Sequence, residues 1–126
     1  MIRRPLDFRF SDKVRYGIKD TTIRATAWPV GVPIMLYNWS GQPYRSKQID
    51  VAPVVVDAVS GIEIHRATSG MIYTLADTAL DFPDLWRREG FDSQGHMDAW
   101  FSAPLLPDQY QMKFLMHFHL LEGGDE

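Results

Sequence analysis

The stretch Gly17-Ile18-Lys19-Asp20-Thr21-Thr22-Ile23-Arg24 gathers three groups able to do chemistry. A glycine turn feeding a strand presents Lys19 at the turn. Thr22 and Arg24 then project from one strand face, because residues i and i+2 point the same way. Arg24 can hold a phosphate or carboxylate through two parallel hydrogen bonds, and Lys19 offers a point charge or, once desolvated, a base. The same residues on an exposed hairpin edge would be ordinary surface. A second pattern, His117-Phe118-His119, sets two imidazoles on one strand face, where His65 or Asp57 would extend them toward a zinc site. The polar outer face of a strand explains these histidines equally well, and spacing fixes no third ligand. No metal is therefore assigned.

Composition narrows the chemistry further. Cysteine is absent, which removes disulfides, thiolate zinc sites and thiol catalysis. The apolar fraction of 45% and charged fraction of 23% are ordinary globular usage, so disorder is not indicated. At 126 residues there is room for one core, and a single domain spanning 1–126 is expected. No apolar run approaches the roughly 20 residues of a bilayer span. The N-terminus lacks a signal-like apolar core. These features lead to the expectation of a cytoplasmic protein with no membrane partner, in which the sequon Asn38-Trp39-Ser40 is accidental. Net charge is −3, but residues 1–50 hold nine Lys and Arg against four Asp and Glu, and residues 51–126 hold four against twelve. Either one face is positive and suited to phosphate, or folding re-mixes the two halves.

The elements that must position these groups can be read in order. Asp7–Phe10 alternates as a short strand, and Ser11 can cap a brief helix through Tyr16 that Gly17 ends in a left-handed conformation. Thr21–Arg24 is a strand, since β-branched residues favour the pleated backbone. Ile34–Tyr37 is an apolar strand, followed by a turn around Ser40–Pro43 leading into Tyr44–Lys47. The valine-rich segment Val51–Val59 reads as a buried strand, punctuated by Ser60-Gly61, with Ile62–His65 as its hairpin partner. A helix over Pro83–Glu89 stops at Gly90, and a second, capped by Ser93 with help from Asp92, carries Met97, Trp100 and Phe101 on one face. Trp86 and Trp100 are expected as core anchors. In the last strand Met112, Phe114, Met116, Phe118 and Leu120 alternate with polar neighbours, and that side should face the core. The tail Glu122–Glu126 is expected to be solvated.

Gly17, Lys19, Thr22 and Arg24 match the G-x-K-x-x-T-x-R signature of the ASCH domain family, a branch of the PUA-like fold. Arg88-Glu89-Gly90-Phe91-Asp92, with Met97 and Trp100-Phe101 beyond it, resembles that family's E/D-G-F segment and following helix. Lys113–Phe118 is similar to its closing strand. Leu36-Tyr37 with Tyr44-Arg45-Ser46-Lys47 is similar to the L-Y…R-[ST]-K block of small bacterial and prophage ASCH proteins. The resemblance spans roughly residues 8–120. It implies an α+β, mainly β fold: a PUA-like barrel of five to six strands with two or three short helices.

For function, the resemblance implies a cleft between barrel and helices that binds RNA or a nucleoside, with no cofactor. One branch of the family hydrolyses N4-acetylcytidine to cytidine and acetate with a Lys, a Thr and a Glu, which fall here on Lys19, Thr22 and Glu89. Thr22 would attack the acetyl carbonyl and Lys19, its pKa lowered, would take the proton. Glu89 would orient Lys19 or pass the proton to the leaving nitrogen. Arg24 would bind a phosphate or the developing oxyanion. Asp20, beside Lys19, pulls the other way by favouring the ammonium. The competing expectation is a non-catalytic RNA-binding module. In it Lys19, Arg24, Arg45 and Lys47 contact phosphates while Tyr37, Trp39 or Tyr44 stacks on unpaired bases. A phage or bacterial interaction module without nucleic acid is the third.

Overall fold

The structure is a computed structural model that describes residues 1–121; the tail expected to be solvated lies outside the described residues. Its strands are β1 (Ile2–Pro5), β2 (Thr21–Arg24), β3 (Pro33–Trp39), β4 (Gln48–Ala67), β5 (Gly70–Leu75) and β6 (Tyr110–Leu120). The helices are α1 (Ser11–Arg15), α2 (Leu85–Glu89) and α3 (Gln94–Ser102), with 3-10 turns at Phe8–Phe10 and Thr78–Leu80. One six-stranded sheet runs β1-β3-β4-β6-β2, with β5 also paired to β4. All pairs are antiparallel except β1 with β3. The fold is thus mainly β with three short helices, but β1 and β2 stand at the two ends of the path. The sheet is open, and the closed barrel expected from the sequence is corrected to that extent.

The core lies on this sheet. Ile34, Val54, Val56, Ile62, Ile64, Leu115 and Met116 are fully buried, and each such side chain contributes roughly 1.5–3 kcal/mol. The short helices are far below the ~12–15 residues at which a helix is even marginal alone, so they persist by docking on the sheet.

Four local expectations are corrected. Asp7–Phe10 is not a strand: the Asp7 carboxylate accepts from the Arg9 amide at 3.0 Å and winds Phe8–Phe10 into a 3-10 turn, while the strand lies earlier, at β1. Ser11 is the first helical residue of α1 rather than its cap, and its hydroxyl accepts from Asn38 Nδ2. Ser60-Gly61 does not punctuate β4. Both continue the ladder opposite Leu115 and Phe114, and the hairpin partner is β5, after a turn ending at Gly70. Finally, Met112 and Phe114 are exposed whereas Leu115 and Met116, which point to opposite faces, are both fully buried. At that end α3 covers the other face, through the Tyr73 hydroxyl donating to Asp98 at 2.7 Å and the Tyr73 ring on Phe101.

Two glycine stops and one helix cap agree with the sequence. Gly17, at φ +75°, ends α1 and turns the chain into β2. Gly90, at φ +95°, ends α2, and Ser93 caps α3 by accepting from the His96 amide at 3.0 Å. The α2 end is then tied to β2 by the Asp20 amide donating to the Arg88 carbonyl at 3.0 Å. Among the described residues no helix is long and apolar enough to cross a membrane.

Candidate functional site

Where α2 meets the start of β2, a cavity of about 190 Å³ opens between the sheet and the helices. Lys19, Thr22, Arg24 and Glu89 all line it, with Phe10, Phe91 and Trp100 as aromatic walls. Two segments seventy positions apart are brought together here.

Lys19 is only 3% exposed. Its Nζ donates to the main-chain carbonyls of Thr21 at 2.6 Å and Glu89 at 2.7 Å, and sits over the Phe10 ring. Two acceptors fix the nitrogen, so one direction remains, carrying either the third N–H of the ammonium or the lone pair of the amine. Burial pushes its pKa down to about 8; the Glu89 carboxylate opposes that shift, and the Arg24 charge adds to it. Asp20 opposes it less than Glu89 does. Its carboxylate is taken by Arg88 Nη1 at 2.8 Å, with His117 Nε2 at 3.5 Å.

Glu89 ends α2 and is equally buried. The Thr21 hydroxyl donates to its Oε2 and orients the carboxylate. Gly90 makes this approach feasible, because a Cβ there would stand 2.8 Å from Phe10 and 3.1 Å from the Lys19 side chain. Arg24 Nε donates to Thr22 Oγ at 2.9 Å, and its guanidinium lies over the Trp28 ring. Burial lowers the Arg24 pKa, though a guanidinium remains charged. With the guanidinium on its oxygen, the Thr22 hydroxyl keeps its own proton to donate elsewhere. It is Arg24, not Lys19, that hydrogen-bonds Thr22. The cavity therefore holds a lysine of lowered pKa, an oriented carboxylate and a polarised hydroxyl within an apolar wall, an arrangement typical of functional sites.

The other candidates lie elsewhere. Tyr37, Trp39, Tyr44, Arg45 and Lys47 sit in the β3–β4 hairpin and do not line the cavity. Tyr37 is buried and packs edge-on against Trp39, which also contacts the exposed Tyr44. His119 Nδ1 is 2.8 Å from Asp57 Oδ1, His117 lies between Asp57 and Asp20, and His65 stacks on Tyr110. No cluster of three metal-ligating side chains occurs among the described residues. Asp92 pairs with Lys13 at 2.6 Å instead of helping cap α3. Of the nine basic residues in the N-terminal half, four are ion-paired among the described residues: Arg3 with Asp50, Arg9 with Asp7, Lys13 with Asp92 and Arg15 with Asp12. Trp86 and Trp100 pack against the core, as expected of anchors.

Sequence reasoning missed Thr21, which is fully buried and is the hydroxyl that holds Glu89. Only the alternation of β2 bore on it, since Thr21 must face opposite to Thr22. It also missed Phe10 as a cavity wall, because that residue was read within a strand. In comparison with protein-family models, curated proteins and solved structures, the chain matches none.

Proposed function

We propose that this cavity binds the base of a modified cytidine, in RNA or as a nucleoside, and that the chain is a PUA-like domain of ASCH type hydrolysing the N4-acetyl group. The observation that carries the reading is the meeting of Lys19 and Glu89 with Thr22 and Arg24 around one half-open cavity. At about 190 Å³ it falls below the roughly 300 Å³ at which drug-sized sites begin, so it admits a base-sized head group rather than a whole nucleotide. Its aromatic walls suit a flat ring.

In this mechanism Thr22 Oγ forms a bond to the acetyl carbon while the Lys19 amine takes its proton. A pKa near 8 leaves a neutral fraction of that amine at physiological pH that an ordinary lysine lacks. Arg24, already on Thr22 Oγ, stabilises the negative charge that develops beside it. The C–N bond then breaks, the N4 nitrogen receives a proton from Lys19 by way of Glu89, and cytidine leaves. Water releases acetate from Thr22 by the same route. Incubation with N4-acetylcytidine tests this: cytidine and acetate should accumulate with the wild type and not with Lys19→Ala. No turnover, or turnover unchanged in the variant, overturns the mechanism.

One observation favours a second reading. Two Lys19 protons are committed to carbonyls, which suits a fixed cationic donor as well as a base. The same cavity would then bind the nucleoside without cleaving it, and calorimetric binding without product is its signature.

A further inference from the structure

β1, β2 and β5 each pair on one side only, so the sheet ends in strands whose outer N–H and C=O groups face away from it. Such an edge accepts another strand unless charge, proline or a covering segment blocks it. β1 is blocked by Arg3, Arg4 and Pro5. β2 is covered: Lys19 Nζ donates to the Thr21 carbonyl, and α2 is tied to the strand by the Asp20 amide on the Arg88 carbonyl. The stretch of β6 that runs past β2 carries Lys113. β5, Gly70-Met71-Ile72-Tyr73-Thr74-Leu75, has no charge, no proline and no bulge. We infer that β5 is an interaction edge whose partner is β5 of a second copy of this chain, paired antiparallel about a two-fold axis.

The β4–β5 ladder fixes which backbone groups are available. The Ala76 amide donates to the Gly61 carbonyl at 3.0 Å, and bonded pairs alternate along an antiparallel ladder, so Ile72 and Thr74 turn their amides to β4. Met71, Tyr73 and Leu75 turn theirs outward, and among the described residues no hydrogen bond reaches them. A two-fold centred on Tyr73 sets that residue against its own copy and Met71 against Leu75 of the second copy. Every outward N–H and C=O of these residues then finds a partner. Charge selects the second copy and the antiparallel direction. Arg66, opposite Met71 in β4, is exposed at one end of β5, and Asp77, in extended backbone, is exposed at the other. Alternation puts both on the face that carries Tyr73. Neither forms an ion pair among the described residues. Arg66 Nη1 donates to the Leu105 carbonyl at 2.7 Å, which leaves its other N–H groups to bond elsewhere. The two-fold brings the Arg66 end of each copy to the Asp77 end of the other, whereas parallel pairing would set like charge on like. β5 itself has no charge to repel its copy. β2 stands at the far edge of this half of the sheet, in the order β5-β4-β6-β2, so the pairing leaves the cavity free.

Sedimentation equilibrium of the full chain tests the association. A strand-edge contact is a small interface, so a monomer–dimer equilibrium with Kd of roughly 10–100 μM is expected. Amide hydrogen exchange followed by NMR reads the register. As the concentration rises, exchange should slow at Met71, Tyr73 and Leu75 and stay unchanged at Ile72 and Thr74, whose amides already bond β4. The double substitution Ile72→Lys with Thr74→Lys changes only exposed side chains and sets like charges opposite one another across the pair. Its Kd should rise by roughly tenfold or more with the far-UV circular dichroism of the wild type retained. A monomer at every concentration overturns the inference. So does a dimer in which the Met71, Tyr73 and Leu75 amides exchange as fast as in the monomer, or one that the folded double variant forms equally well.

Discussion

Lys19 makes the stability of this protein depend on pH in the same direction as the familiar acid loss of paired carboxylates, but in an alkaline window. In the unfolded chain its amine holds a proton up to the ordinary 10.5; in the folded protein burial brings that value to about 8. Between those limits the unfolded chain binds the extra proton, so raising the pH disfavours unfolding. The gap, at about 1.4 kcal/mol per pKa unit, amounts to about 3 kcal/mol. This stabilisation is complete above 10.5 and is lost as the pH falls to 8, below which the cost of burying the ammonium is fully present. The perturbation is Lys19→Met, which keeps the length and removes the titration. Urea unfolding of both proteins, followed by tryptophan fluorescence from pH 7 to 10, gives the difference in unfolding free energy. The wild type should gain on the variant above pH 8, by up to 2 kcal/mol or more at pH 10. A flat difference across that range would mean that Lys19 titrates like a solvated lysine, and the case for a base in the cavity would fall with it.

Glu89→Gln removes the charge that holds the Lys19 pKa up, so that value should drop below about 8, seen by NMR of the lysine methylene next to the amine. Turnover of N4-acetylcytidine by the same variant should fall by roughly 100-fold or more, as expected for loss of a proton-transferring group. Thr21→Val keeps the shape of β2 but leaves the Glu89 carboxylate oxygen without its donor; unfolding free energy should fall by about 1–3 kcal/mol in urea. Gly90→Ala meets both a left-handed backbone and the Phe10 ring at 2.8 Å, so it should cost at least about 1–2 kcal/mol and shift the Phe10 and Lys19 resonances.

The parts of this molecule legible in the sequence are those governed by local chemistry. β2 spans the residues its β-branched pattern indicates, and Gly17, Gly90 and Ser93 act as stops and cap because positive φ and capping hydroxyls are local demands. What escaped reading depends on distant partners. β1 carries two arginines and a proline and has no strand-like pattern of its own; it exists by pairing parallel with β3. Ser60-Gly61 looks like a turn until one sees that Gly61 keeps an ordinary backbone and Ser60 Oγ accepts from the Asp77 amide at 2.8 Å. The alternation of β6 gave the wrong buried side at its first half, because α3 covers the opposite face there. Within the site, the meeting of Lys19 with Glu89 entered through the family resemblance, since spacing alone could not set an interval of seventy residues. The role of Thr21 was hidden for a different reason. Two adjacent threonines are equivalent in composition, and only the docking of α2 selects which hydroxyl meets the carboxylate.

The central claim is that one small space, walled by β2 and the end of α2, receives a pyrimidine. An amide-resolved NMR titration of the wild-type protein with cytidine addresses it directly. Shifts confined to residues 19–24, 89–91 and the neighbouring Phe10 and Trp100 are predicted. Saturating shifts on another surface, or none at millimolar cytidine, would contradict the account.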